Sequence, residues 1–211
     1  MATSTTSNLI TTLPFVADPN AITRHPGRVV DWASVPTTYI PTGGSKKQLK
    51  GGTVVGVKNG KWLPCAVGGT VSALVVASNV ATVTLEDHGY VVGDVVTVAG
   101  SNLAYANISA TIATVADADT FTYVATGSNA TATGTITARV TAKAILATPA
   151  QEGGPDAITG HGALIGGSFY ENLLPDATGT PKALPAAYKT ELAAAATTGY
   201  AFLAYADSAT A

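Results

Sequence analysis

Residues 52–67, GTVVGVKNGKWLPCAV, decide how this chain is read. Two apolar runs flank Asn59-Gly60. A type I′ turn needs positive φ at both central residues, and Asn followed by Gly meets that need with little strain, so the segment predicts a β-hairpin. Pro64 lacks an amide proton for a sheet ladder, which makes the second strand an edge or ends it early.

Downstream, residues 72–140 continue in strands but change in character. The segment holds Glu86, Asp87, Asp94, Asp117 and Asp119 against Arg139 alone, a net charge of −4, whereas the remainder of the chain carries +2. It contains no proline, although the chain has eleven. Apolar alternating runs (VATVTL, DVVTVAG, ISATIATV, TFTYVA) are separated by turn sequences such as EDHGY and DAD. Residues 135–144 alternate cleanly. Ile136, Ala138, Val140, Ala142 and Ala144 fall on one face, and Thr135, Thr137, Arg139, Thr141 and Lys143 on the other. This pattern predicts a small β-barrel or sandwich, inserted into a host domain and entered and left through adjacent strands.

The host resumes after Lys143. AILATPA is a short apolar strand stopped by Pro149, QEGGPDAITGHG is a loop, and ALIGGSFYENLLP is strand-like with a break at Gly166-Gly167. Pro185 suits the first position of a helix. Leu184, Tyr188, Leu192 and Ala195 then share one face, and Gly199 suits the C-terminal cap. An apolar strand over 200–205 closes the fold. Upstream, residues 1–50 carry Pro14, Pro19, Pro26, Pro36 and Pro41, which block a long helix. Their small apolar groups allow two readings: an extended arm that orders on a partner, or coil wrapped on its own domain. Lys46, Lys47 and Lys50 form the only basic cluster and read as a solvated loop. The expected class is therefore mainly β with one or two short helices, a β-rich α+β fold. Its parts are an extended arm (1–50), a discontinuous host (51–71 and 141–211) and an inserted barrel (72–140).

Composition narrows the function. The 211 residues are 46% hydrophobic and only 11% charged, with 38 Ala, 32 Thr and 22 Gly, against roughly 25% charged in an average soluble domain. Disorder needs the opposite balance. A net charge of −2 leaves no basic footprint for nucleic acid. The uncharged run 95–116 holds too many hydroxyls and amides to cross a membrane as a helix. The start, MATSTTSNLITTLP, lacks the basic region and long apolar core of a signal peptide, so the chain reads as made and used without export. A low-charge surface of small side chains can lose its water to a neighbour without stranding charges, which suits an assembly protein.

Candidate chemistry is sparse. Cys65 with His161 or His25 could in principle pair a nucleophile with a base, but Cys65 sits in an apolar run and reads as a buried structural thiol. One cysteine excludes an internal disulfide. Glu86, Asp87, Asp117 and Asp119 could offer oxygens to calcium, but they lack EF-hand spacing and read as turn formers. Gly160, Gly162, Gly166 and Gly167 lack the Lys and helix of a phosphate loop. Trp32 and Trp62 read as core or subunit-contact aromatics rather than a sugar platform. No cofactor, metal site or catalytic set is expected, and an enzyme is the least favoured class.

The host segments resemble the lambda-like head decoration, or capsid-stabilising, proteins of phages. The likeness lies in the order of VVGVKNGKWLPCAV, AKAILATPA, GGSFYENLLPDA, the helix AAYKTELAAAA with Lys189, and GYAFLAYA. It covers about 52–71 and 141–206; the longer arm and the insert depart from it. The insert, through DHGYVVGDVVTVAG and DADTFTYV, is similar to a β-barrel repeat of phage head and tail proteins, also found in ubiquitin-activating enzymes outside their chemistry. The resemblance implies a homotrimer on the outer capsid surface at three-fold and quasi-three-fold positions, clamping neighbouring major capsid protein subunits. It would be made in the host bacterial cytoplasm. It also implies an amino-terminal arm bound to the capsid, to which Leu9, Ile10, Leu13, Phe15 and Val16 would contribute by adding a strand to a capsid sheet. Trp62, Phe169, Tyr170, Leu173 and Leu174 are the expected core or trimer contacts. The alternative is a tail or baseplate module whose 72–140 barrel adheres to host-surface glycans.

Overall fold

The computed structural model describes residues 16–17, 22–154, 160–170, 173–175, 183–195 and 200–203. The described residues are mainly β with a single short α-helix. The strands in chain order are β1 (Thr23–Arg28), β2 (Gln48–Leu49), β3 (Val54–Lys58), β4 (Lys61–Pro64), β5 (Gly68–Thr70), β6 (Ala73–Ala77), β7 (Val80–Thr84) and β8 (Val95–Ala99). They continue as β9 (Ser109–Val115), β10 (Thr120–Val124), β11 (Ala130–Thr131), β12 (Thr137–Val140), β13 (Ala144–Leu146), β14 (Ala150–Gln151), β15 (His161–Tyr170) and β16 (Tyr200–Leu203). The helix α1 spans Ala186–Ala195, one residue after Pro185, and Leu184 and Leu192 are buried as its apolar spacing requires.

The chain divides into two compact units, Met1–Val55 with Ala142–Ala211, and Gly56–Thr141. The division falls at 55/56 and 141/142, whereas the composition shift had placed it at 71/72 and 140/141. The cause is the Asn59-Gly60 hairpin. Asn59 and Gly60 both take positive φ, +47° and +75°, as a type I′ turn requires. That turn is held within the second unit, so β3 crosses from one unit into the other along its own length.

In the first unit β15 is the central strand. It pairs antiparallel with β1 and with β13, which pairs in turn with β3. The glycine pair expected as a break instead marks a change of partner within one ten-residue strand. β13 pairs with Ala163 and Leu164; from Gly167, at φ +133°, β16 runs parallel. Leu146, Ile145, Leu164, Phe169, Leu174 and Leu192 are fully buried and form the core. Each such side chain contributes about 1.5–3 kcal/mol on burial.

Residues 22–50 follow the second of the two readings open for 1–50, coil wrapped on its own domain. β1 is an edge strand of this sheet, which tolerates Pro26. Val30, Val35, Tyr39 and Leu49 are buried, and β2 pairs with β14. Lys47, expected in a solvated loop, donates from Nζ to the Trp32 carbonyl at 2.6 Å.

The second unit is built on one eight-stranded sheet in the order β11-β6-β7-β10-β9-β8-β12-β5. β5 ends one edge and β6 lies next to the other, yet only Val71 and Ser72 separate them in the chain. Three residue steps span at most about 11 Å, so the sheet must roll until its two ends meet. Gly69 lies so close to Leu85 that an added Cβ would collide with it, which marks the same closure from inside. Leu74, Val76, Ala81, Val83, Val96, Val98, Ile112, Phe121, Tyr123, Ala138 and Val140 fill the interior. The alternation of 135–144 is realised on its apolar face, all five residues of which are buried. The run nonetheless divides into β12 and β13 as it changes partners. The Thr141 amide bonds to Val95 and the Lys143 amide to Val55.

Candidate functional site

Among the residues expected to bind a capsid, Leu9, Ile10, Leu13 and Phe15 lie outside the described residues. Val16 is half-buried and forms an isolated antiparallel bridge with Phe169, and the Ala17 amide donates to the Ser168 carbonyl at 2.8 Å. The chain at 16–17 thus already adds to its own β15. Of the expected core or trimer contacts, Trp62, Phe169 and Leu174 are fully buried within their units, and Tyr170 and Leu173 are half-buried.

The outer face of the rolled sheet is nearly free of charge. Arg139 is the only charged residue in all eight strands. Across β6, β7 and β10 the outward positions align in three rows: Ala73–Thr84–Thr120, Val75–Thr82–Thr122 and Ala77–Val80–Val124. Thr122 extends its row to Thr114 on β9, the two hydroxyls 2.7 Å apart. Val124 is 62% exposed, and Val75 and Val80 about 40%. Such a face presents hydroxyls that satisfy one another and methyl groups with little bound water. Covering it would strand no charge.

A second feature lies inside the loop joining β7 to β8, residues 85–94. The Asp94 carboxylate, 7% exposed, accepts the Asn59 amide at 3.1 and 3.0 Å and the Val91 amide at 3.0 Å. The loop is thereby fastened to the Asn59-Gly60 turn. His88 is buried, its Nδ1 accepting the Tyr90 amide at 2.9 Å. The imidazole stacks on the Tyr90 ring at 5.5 Å and meets the edge of Phe121 at 5.1 Å. Lys58 Nζ sits 5.4 Å from the centre of the Tyr90 ring, a cation–π distance. Burial pushes the Tyr90 phenol well above its ordinary range, and Asp94 and Cys65 add to the rise. Burial likewise pushes Tyr123 up to about 12, its hydroxyl donating to the Ala106 carbonyl at 2.7 Å.

The acidic turn residues act on backbone. Asp119 accepts the Asp87 amide at 2.8 Å, and Asp117 accepts the Asp119 amide at 2.9 Å. The Asp119 amide, followed by the Thr120 hydroxyl, holds the Asp117 carboxyl below its ordinary range. Among the described residues, no group of three His, Cys, Asp or Glu side chains is placed to hold a metal ion. Cys65 is fully buried in the second unit and forms no disulfide; His161 is buried in the first. No described helix is long and apolar enough to cross a membrane.

No family model matches the chain, and no curated protein matches it.

Sequence reasoning reached the loop's turn-forming residues but not its interior. His88 and Asp94 stand beside Gly89 and Gly93 as turn residues do, and Lys58 lies in a strand. Only their inward packing joins them, and no spacing in the sequence announces it.

Proposed function

We propose that this chain is a structural virion protein. In this reading it is a homotrimeric decoration protein on the outside of an expanded phage head, at three-fold and quasi-three-fold positions, clamping neighbouring major capsid subunits. The observation that carries the reading is the order of segments in the first unit, in a chain of which only 11% of residues are charged. That order is a hairpin strand, the 144–146 strand, the glycine-bearing β15, then α1 and a parallel closing strand. Resisting outward pressure requires broad contact between subunits rather than a reacting group, and neutral β faces desolvate at low cost.

The packing of residues 22–50 on the first unit narrows the arm. The capsid-binding segment of this reading is the stretch before Val16, with Leu9, Ile10, Leu13 and Phe15 as its apolar anchors. Three such segments on one trimer bind together, so modest contacts become firm attachment through effective concentration. The rolled sheet of the second unit would project outward.

The test is direct. Light scattering after size exclusion is expected to give the mass of a trimer, and sedimentation with expanded heads is expected to carry the protein down. A monomer that ignores expanded heads would overturn the proposal. The hydroxyl rows of β7, β9 and β10 support a second reading, a tail or baseplate module that holds uncharged host glycans. Sedimentation with host cell envelopes but not with heads would select it.

A further inference from the structure

Backbone bonds tie the loop 85–94 to its neighbours, from the Leu85 amide to Asp119, His88 to Ala118 and Gly93 to Ile112. The Asp87 amide adds a bond to the Asp119 carboxylate, and two of the loop's own side chains hold amides near its ends. At one end a carboxylate, Asp94, holds two amides. At the other an imidazole, His88, holds the Tyr90 amide through Nδ1. An imidazole can accept only while neutral; once protonated, both nitrogens are donors. Nδ1 as acceptor puts the neutral ring's proton on Nε2, and Nε2 is buried without a hydrogen-bond partner of good geometry.

The charged groups facing this ring come from three elements. Lys58, from β3, opposes a positive imidazole. Asp117 and Asp119, from the turn between β9 and β10, favour it, as does the Thr120 backbone from β10. Phe121 closes the remaining side with an apolar edge. Within the loop itself, Asp94 is engaged with the Asn59 and Val91 amides.

We propose that His88 is an acid-operated latch: its neutral ring, packed against Phe121 of the sheet, holds the 88–90 turn of the loop by accepting the Tyr90 amide, and taking up a proton from solvent releases that turn. Val91 and Val92, which follow the turn, are already 38% and 61% exposed. Asp94 keeps the far end attached, so the outcome is local opening rather than loss of the sheet. Loss of water around the ring is the largest influence on it and favours the neutral form, lowering its proton affinity below the ordinary value of 6.5. The unfolded chain therefore binds the proton more readily than the folded one. The stabilising contribution is complete above 6.5 and is lost as pH falls through the folded value.

Hydrogen exchange of the full chain at about pH 7.5 and about pH 5.5, corrected for intrinsic rates, tests this across the range in which imidazole titrates. Peptides covering 86–94 are expected to exchange several-fold faster at the lower pH, with β8 and β10 unchanged. His88→Asn retains an acceptor near the position of Nδ1 but does not titrate, so its loop is expected to exchange alike at both values. Equal protection in the wild-type loop, or an acid response of the same size in His88→Asn, overturns the proposal. If that variant does not fold, the wild-type imidazole resonances decide. A midpoint below 6.5, with the Tyr90 amide signal moving in step, supports the latch; a midpoint at or above 6.5 overturns it.

Discussion

Asp94 grips the amide of Asn59, thirty-five positions earlier in the chain, with both carboxylate oxygens at 3.1 and 3.0 Å. It ties the tip of the β3–β4 hairpin to the loop before β8. Hydrogen bonds to a buried carboxylate are worth about 1.5–3 kcal/mol each when the partner is left unsatisfied. Asp94→Ala is expected to destabilise the second unit by about 2–4 kcal/mol in urea unfolding. Asp94→Asn keeps one acceptor oxygen and is expected to lose about half as much. Equal stability of all three proteins would show that the tie contributes nothing.

Two glycines with similar backbone angles are expected to respond differently to a methyl group. Gly60 at φ +75° faces open space, so Gly60→Ala meets only the left-handed penalty of about 1–2 kcal/mol. Gly100 at φ +88° would in addition drive a Cβ into the Thr135 carbonyl oxygen. Gly100→Ala is expected to cost about 3 kcal/mol or more. Thermal unfolding of the two variants checks the order, and a reversed order would contradict the described backbone at Gly100.

Much of this architecture was legible from residue pattern. The Asn59-Gly60 turn, the apolar face of 135–144 and the helix after Pro185 each follow from local rules, and each is present. What escaped was decided by partners distant in the chain. Residues 22–50 read equally well as a free arm because nothing in TRHPGR announces that β15 will take it up. The unit boundary was misplaced because composition changes near residue 72, whereas contact changes within β3. Nothing in the helix pattern singles out Glu191, yet its carboxylate is buried and accepts the Ala142 amide at 2.7 Å. That bond satisfies the one amide in 141–143 that no strand takes, a need visible only once the chain's crossing point is known.

Truncation separates the anchoring segment from the folded units. Removing residues 1–15 is expected to leave the thermal transition in place while abolishing sedimentation with expanded heads. Removing residues 1–28 also deletes β1 and uncovers β15, so the first unit is expected to lose stability outright. Undiminished capsid binding by the shorter truncation would sink the anchoring role of Leu9, Ile10, Leu13 and Phe15.

Attachment should depend weakly on salt. The chain carries a net −2 and only 11% of its residues are charged, so few ion pairs are available for screening. Raising ionic strength from about 0.05 to about 0.2 M is expected to change capsid affinity less than about threefold. A tenfold or greater loss would point to an electrostatic interface.

A cryo-electron microscopy map of the mature head, taken at its three-fold and quasi-three-fold axes, measures the central claim most directly. The account expects three copies around each axis, the first unit seated on the shell, the second standing off it, and the segment before Val16 laid along capsid density. A mature head with those axes bare, and this protein found elsewhere on the particle or not on it, would contradict the account.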